Sequence, residues 1–320
     1  AVRRGTTMSE LKYRTDLSVK VGGITFKNPV MPASGTWDCF ENNAGLFPMS
    51  ELGAVMVKSV HRLVRQGNPP PRIAEVTGGM INAVGIPSIG IEAFMTQELP
   101  RYEGIGAPVA LSISGNRKEH YREALEIVAN DPRIAAVELN LSCPNIGTGL
   151  AFSSTPDVLR ETLKAAREAT RLPIFVKLAP NVTDIRVSAR VSEEEGADAV
   201  TIANTWRAML IDVETRSPVL SNVSGGMSGP AVKPQTLFLV WQARTATAIP
   251  IIASGGVARW QDAVEYVLAG ASMVQVGSAN FRNPAAMIQV IDGIDRYLAE
   301  HGYRALSEIR GLAHQSRGIS

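Results

Sequence analysis

Eight short apolar runs recur along this chain, most of them separated by segments with helical periodicity. The runs are VMPA (30–33), AVMVK (54–58), VALSI (109–113), AVELNL (136–141), IFVKL (174–178), AVTIA (199–203), IPIIAS (249–254) and SMVQVG (272–277). Short apolar runs with little polar alternation are the signature of strands buried on both faces. Helix patterns fall at 119–130, 155–170, 184–195, 233–247, 261–270 and 284–302. The second opens on Thr155 as cap, Pro156 in the first turn and Asp157 next, the order in which a helix start satisfies its free amides. Strand and helix alternating about eight times dictate a parallel sheet. Eight such units in about 250 residues favour the closed (β/α)8 TIM barrel of the α/β class over an open sheet. Ahead of the first run, LSVKVGGITF reads as a β-hairpin turning at Gly22-Gly23.

Two gaps, 59–108 and 206–232, are too long for simple crossovers and are rich in Gly, Pro and Asn. Long strand-end loops in compact domains usually carry lids or binding elements. The expected organisation is an N-terminal extension at 1–16, a barrel at 17–310 and a C-terminal tail at 311–320. The first seven residues precede Met8, a candidate natural start.

Composition removes several function classes. Among 320 residues, 28 Gly and 19 Pro without a period exclude collagen and low-complexity disorder. Two cysteines, Cys39 and Cys143, cannot form a disulfide framework, nor alone ligate an iron–sulfur cluster or structural zinc. A net charge of +2 gives no footprint for nucleic acid. The stretch His61–Arg65 reads as a solvated loop and Glu193–Glu195 as an exposed helix face. No apolar run approaches the length of a membrane helix, and the N-terminus has no secretory apolar core. A reducing cytoplasm, with no membrane partner, is the expected compartment.

A barrel of this kind places its chemistry where the strands end. Two lysines, Lys58 and Lys177, interrupt otherwise apolar runs, and a buried ammonium is costly unless it is used or paired. Gly255-Gly256 and Gly277-Ser278 follow the last two strands, where backbone amides can close on a phosphate. Cys143 precedes Pro144, which cannot continue a central strand, so the thiol is expected at a turn near the barrel mouth. A thiol there can act as base or nucleophile. Cys39 has no such context and reads as structural. No complete dinucleotide fingerprint, P-loop, zincin helix or nucleophile elbow is present, and no metal site is expected.

The segments NLSCPN, Lys58-Ser59, RQGNPPPR, NAVGIPSIG, IFVKLAPNVTDI, IANT, GGMSGPAVKP, IIASGG and VQVGSANF together resemble the class 1 dihydroorotate dehydrogenases over roughly residues 17–310. The resemblance implies a barrel that holds one FMN and oxidises dihydroorotate to orotate in pyrimidine synthesis. It puts the proton-abstracting base on Cys143. It puts substrate contacts on Lys58, on Asn82, Ala83, Val84, Gly85 and Ile86, and on Asn140, Asn204 and Thr205. FMN contacts fall on Ser34, Lys58, Ser59, Ser112, Asn140, Lys177, Ala203, Gly229, Gly255, Gly256, Gly277 and Ser278. Ser112 stands where closely related enzymes often carry Asn, and TWDCFENN departs from the usual loop after the first strand.

The implied chemistry suits these residue types. Dehydrogenating a saturated ring removes a proton from one carbon and a hydride from its neighbour, so a side chain must serve as base beside a hydride acceptor. A fixed ammonium such as Lys177 favours negative charge at the reduced flavin edge. Asn side chains match an amide-rich anion.

Cys143 and the absence of a membrane helix pair separate the chain from the class 2 enzymes, which use Ser. Dihydropyrimidine dehydrogenase shares the fold and a cysteine acid/base but brings extra cluster cysteines. NAVGIPSIGIEAF and GGMSGPAVKP point to the NAD-linked class 1B catalytic subunit, with the fumarate-linked class 1A as alternative. Class 1B implies a homodimer bound to an electron-transfer subunit that carries FAD and a [2Fe–2S] cluster, forming a heterotetramer. The competing readings are a Schiff-base lyase with Lys177 as nucleophile and a non-catalytic or regulatory barrel.

Overall fold

The computed structural model describes residues 12–41, 43, 45–141, 152–153 and 155–315. A hairpin, β1 (Val19–Val21) and β2 (Ile24–Phe26), turns at Gly22-Gly23 as the sequence predicts. The eight apolar runs become β3 (Val30–Pro32), β4 (Val55–His61), β5 (Val109–Ser114) and β6 (Ala136–Asn140), then β7 (Ile174–Lys177), β8 (Ala199–Ile202), β9 (Ile251–Ser254) and β10 (Met273–Val276). Their hydrogen-bonded order is β3–β10–β9–β8–β7–β6–β5–β4, all parallel. Gly53 N–H donates to the Val30 carbonyl at 2.9 Å and bridges the seam between β3 and β4. The result is a nearly closed (β/α)8 barrel.

Six longer helices surround it: α1 (Lys118–Val128), α2 (Pro156–Ala169), α3 (Ile185–Glu194), α4 (Lys233–Arg244), α5 (Trp260–Leu268) and α6 (Ala286–Glu300). Each buries one apolar stripe against the strands. Beyond them, Leu312–Gln315 forms a further turn of helix, with the His314 ring stacked 3.7 Å from Trp241.

Inside the barrel, successive inward residues lie two apart along each strand. The innermost set is Met31, Met56, Ala110, Ala136, Phe175, Ala199, Ile252 and Met273, packed with Val21 and Phe26 of the hairpin. The hairpin thus closes the amino-terminal end of the barrel as an apolar floor. Two residues further on, the same strands present Lys58, Ser112, Glu138, Lys177, Thr201, Ser254 and Gln275. The change from apolar to polar within one residue pair marks where packing ends and chemistry begins.

The two long gaps are not irregular. They supply Ile73–Val76, Gly79–Asn82, Trp206–Ala208 and Gly225–Ser228, which pair into one antiparallel four-stranded sheet. Ile81, Ala83 and Leu220 form its own small apolar core. Gly226 lies so close to Thr205 that a Cβ would fall 1.9 Å from the Thr205 hydroxyl. Only glycine lets this sheet settle on the barrel mouth.

Two charged stretches differ from the exposure expected of them. His61–Arg65 is not a solvated loop: His61 is buried at the end of β4, and Arg62 pairs with Glu92 and Glu123. Glu193 and Glu195 are not simply exposed; Glu193 accepts from Thr247 and Ala248, and Glu195 pairs with Arg160. Both stretches meet opposite charges or donors on neighbouring elements, which their own sequence does not display. Among the described residues, no helix is long and apolar enough to cross a membrane.

Candidate active site at the carboxyl ends of the strands

A cavity of about 320 Å³ opens at the carboxyl ends of the barrel strands, under the four-stranded sheet. That volume is at the lower end of the range for small-molecule sites. Its wall gathers residues from every part of the chain: Ser34 after β3, Lys58 and Ser59 in β4, Asn140 at the end of β6 and Lys177 at the end of β7. Ala203, Asn204 and Thr205 follow β8, Gly255 and Gly256 follow β9, and Gly277 and Ser278 follow β10. The overlying sheet adds Asn82, Val84, Gly85, Ile86 and Gly229.

Three expected residues differ from this pattern. Cys143 lies outside the described residues. Ser112 is fully buried behind the wall, its hydroxyl 2.7 Å from Ser59 Oγ. Serine stops short of the cavity, and Ser59 stands in front of it. Ala83 points into the small core of the overlying sheet rather than the cavity.

The polar groups on the wall are already ordered. Ser34 Oγ lies 3.0 Å from Ser59 Oγ, and Asn140 Nδ2 donates to Ser59 Oγ at 3.2 Å. Asn204 Nδ2 donates to Asn140 Oδ1 at 3.1 Å, while Asn204 Oδ1 accepts from the Thr205 amide at 2.8 Å. Asn82 Nδ2 reaches the Gly226 carbonyl at 3.3 Å, tying the overlying sheet together at the site. A site whose amides are held before a ligand arrives loses less entropy on binding.

Lys58 Nζ donates to the Pro87 carbonyl, and burial pushes its ammonium below the ordinary lysine range. Lys177 is 6% exposed and donates to Gln275 Oε1 at 2.9 Å. Behind it, fully buried Glu138 accepts from Thr201 Oγ1 at 2.9 Å and Gln275 Nε2 at 2.7 Å. In sequence, Glu138 and Gln275 each look like one polar residue in an apolar run and carry no signal of their own.

One end of the cavity is built from closely packed backbone. Gly256 has φ +70°, and a Cβ there would sit 2.8 Å from the Gly229 carbonyl oxygen and from Lys233 Cβ. Lys233 is in turn held by Asp262 at 2.9 Å and Glu265 at 2.8 Å. The glycine segments after β9 and β10 and the Gly229 turn therefore form one wall with little side-chain bulk. Such a wall suits a phosphate approached by backbone amides. The hydroxyl, amide and ammonium groups opposite suit a polar heterocycle.

A second cavity of about 670 Å³ adjoins the first at Gly35, Thr36, Lys58 and Phe281. It runs out past Trp37 and Phe40 of the loop after β3, and past Tyr102. Cys39 in this loop is half-buried, and burial with the nearby Asp38 charge pushes its thiol up to about 12. It is a poor nucleophile at neutral pH.

Comparison with known proteins agrees with this architecture. The dihydroorotate dehydrogenase family model matches residues 16–298. The dihydroorotate dehydrogenase B (NAD(+)) catalytic subunit of Bacteroides fragilis is 46% identical over 297 residues, 92% of this chain and 98% of that protein. Its counterpart in Desulforudis audaxviator is 45% identical over 309 residues, 96% of this chain and all of that protein. In three dimensions, the dihydroorotate dehydrogenase of Eimeria tenella, solved in complex with ferulenol, superposes with a TM-score of 0.78 at 26% identity. That match covers 94% of this chain and 89% of the other. The barrel, its mouth and these matches lead to one conclusion: this chain belongs to the dihydroorotate dehydrogenase family.

Proposed function

We propose that this chain is the catalytic subunit of an NAD-linked, class 1B dihydroorotate dehydrogenase, converting dihydroorotate to orotate in pyrimidine biosynthesis. The observation that carries the reading is the cavity itself. It joins a glycine wall, two strand-end lysines and an ordered amide cluster at one barrel mouth, in a chain 46% identical to a class 1B catalytic subunit. Family membership sets aside the Schiff-base lyase, and the Lys177 ammonium donates to Gln275 Oε1 at 2.9 Å.

The residues fit FMN, on which the family depends. Gly229, Gly255, Gly256, Gly277 and Ser278 would hold its phosphate, and Ser34, Lys58, Ser59, Asn140, Lys177 and Ala203 its ring system. Ser112 acts indirectly, by fixing the Ser59 hydroxyl. Bound FMN supplies the hydride acceptor. Asn82, Asn140, Asn204 and Thr205, with backbone from 83–86, orient the ring amides of the substrate, and Lys58 meets its carboxylate. Cys143, in the segment after β6, takes the proton as the hydride leaves the neighbouring carbon. The four-stranded sheet limits water at the mouth.

Electrons must then leave the barrel. These 320 residues carry only two cysteines, too few for a four-cysteine cluster, and no dinucleotide fingerprint. A partner subunit bearing FAD and a [2Fe–2S] cluster serves that role, with the catalytic chain as a cytoplasmic homodimer inside a heterotetramer. The test is acceptor use. The isolated chain should turn over dihydroorotate with an artificial dye and show negligible NAD reduction, which a partner subunit restores. Efficient NAD reduction by the chain alone would overturn the partner requirement. Rapid turnover with fumarate alone would place the chain in class 1A.

A further inference from the structure

The barrel interior contains a charged group that the reaction above does not use. Glu138 sits in β6 two residues before Asn140 and is fully buried. Its Oε2 takes both hydrogen bonds, from Thr201 and Gln275. Its Oε1 has no hydrogen-bond partner among the described residues and faces Lys177 Nζ at 3.7 Å. The Lys177 ammonium bonds the Gln275 carbonyl oxygen instead, at 2.9 Å. One side-chain amide therefore stands between two opposite charges and bonds both. Burying a carboxylate costs several kcal/mol, and apolar residues usually fill such space at no loss of stability. An ion pair held open by an amide needs another reason.

We infer that Glu138 is a positioning residue: through Gln275 it holds the Lys177 ammonium at the cavity wall and sets how much of its charge acts on a bound flavin. The inference rests on reading the cavity as an FMN site. Lys177 spends one of its three donors on Gln275 and presents the ammonium to the cavity. Glu138 offsets part of the positive field from behind. Without its charge, the ammonium acts at full strength and favours the reduced, more negative flavin. Without the Gln275 amide, nothing keeps the ammonium from closing on the carboxylate and withdrawing from the wall.

The test is potentiometric titration of the FMN-loaded protein as wild type, Glu138→Gln, Gln275→Leu, Lys177→Ala and the Glu138→Gln/Lys177→Ala double variant. Glu138→Gln should raise the reduced-to-oxidised ratio at fixed potential by about tenfold, a shift of about 30 mV for a two-electron couple. Gln275→Leu should lower it. Glu138→Gln should raise it less in the Lys177→Ala background than in the wild type. An unchanged or lowered potential in Glu138→Gln, or an equal rise in both backgrounds, would overturn the inference. If Glu138→Gln does not fold, Gln275→Leu decides, and an unchanged or raised potential there overturns it. A wild-type chain that binds no FMN would instead overturn the reading of the cavity.

Discussion

Two layers of the same barrel, two residues apart on the same strands, have opposite characters. The floor is Met, Phe, Ile and Ala, sealed by the hairpin. The layer above is Lys58, Ser112, Glu138, Lys177, Thr201, Ser254 and Gln275, on the same strands. Nothing in strand geometry requires the change, since both sets point inward with the same pleat. The floor holds the barrel shut. The polar layer gives up packing energy to place Lys58, Lys177 and Ser254 on the cavity wall and hydrogen-bonding groups behind it.

Substitutions in and around the two layers test that contrast. The largest expected effect is at the proposed base. Cys143→Ser should retain yellow FMN yet lose about 10²–10⁴-fold in activity at neutral pH, since a hydroxyl is a far weaker base than a thiol. Turnover at wild-type rates in that variant, assayed at pH 7, would remove Cys143 from the mechanism.

In the floor, Phe175→Ala should cost about 3–5 kcal/mol of stability, read from denaturant unfolding, because a fully buried ring leaves a cavity. Its remaining folded fraction should oxidise dihydroorotate normally. The polar layer should respond in the opposite sense. Replacing Glu138, Lys177 and Gln275 together by Leu, Met and Leu should leave the protein without FMN equally stable or about 1–4 kcal/mol more so, because a buried charged network gives way to packed side chains. FMN affinity and activity should be lost. Unfolding of that triple variant at much lower denaturant would make the layer structural and erase the contrast.

A smaller effect concerns pH. Burial disfavours the charged form of Lys58, so its ammonium loses its proton below the ordinary value of 10.5. Orotate affinity should therefore fall as pH rises through that lowered pKa. Titration by flavin absorbance changes on orotate binding would show it, and constant affinity up to pH 10.5 would contradict it. The smallest effect is at Cys39. With its thiol pushed up to about 12, iodoacetamide at pH 7 should leave it unmodified in the folded chain. Mass spectrometry showing rapid alkylation there would contradict this.

The floor and the strands were legible because apolar runs of strand length carry their own signal. Lys58, Lys177 and the glycine pairs stood out as residues that strand ends do not need for folding, whereas the asparagines came only with the family resemblance. Glu138 and Gln275 did not, since a single polar residue in an apolar run has meaning only with its partner, and theirs are 137 and 98 positions away. The four-stranded sheet over the mouth was read as loops for the same reason. Its Asn82–Gly226 contact spans 144 positions, and its short glycine-rich strands show little alternation. Ser112 misled differently: the sequence puts it at the right strand, but its side chain stops behind Ser59.

This barrel mouth is proposed to hold FMN and to use it to oxidise dihydroorotate. Anaerobic addition of dihydroorotate to the purified FMN-loaded chain, followed by absorbance near the flavin maximum, tests it most directly. Rapid bleaching with stoichiometric orotate should follow, with no partner protein present. A chain that binds no FMN, or a bound flavin that dihydroorotate leaves oxidised, would contradict it.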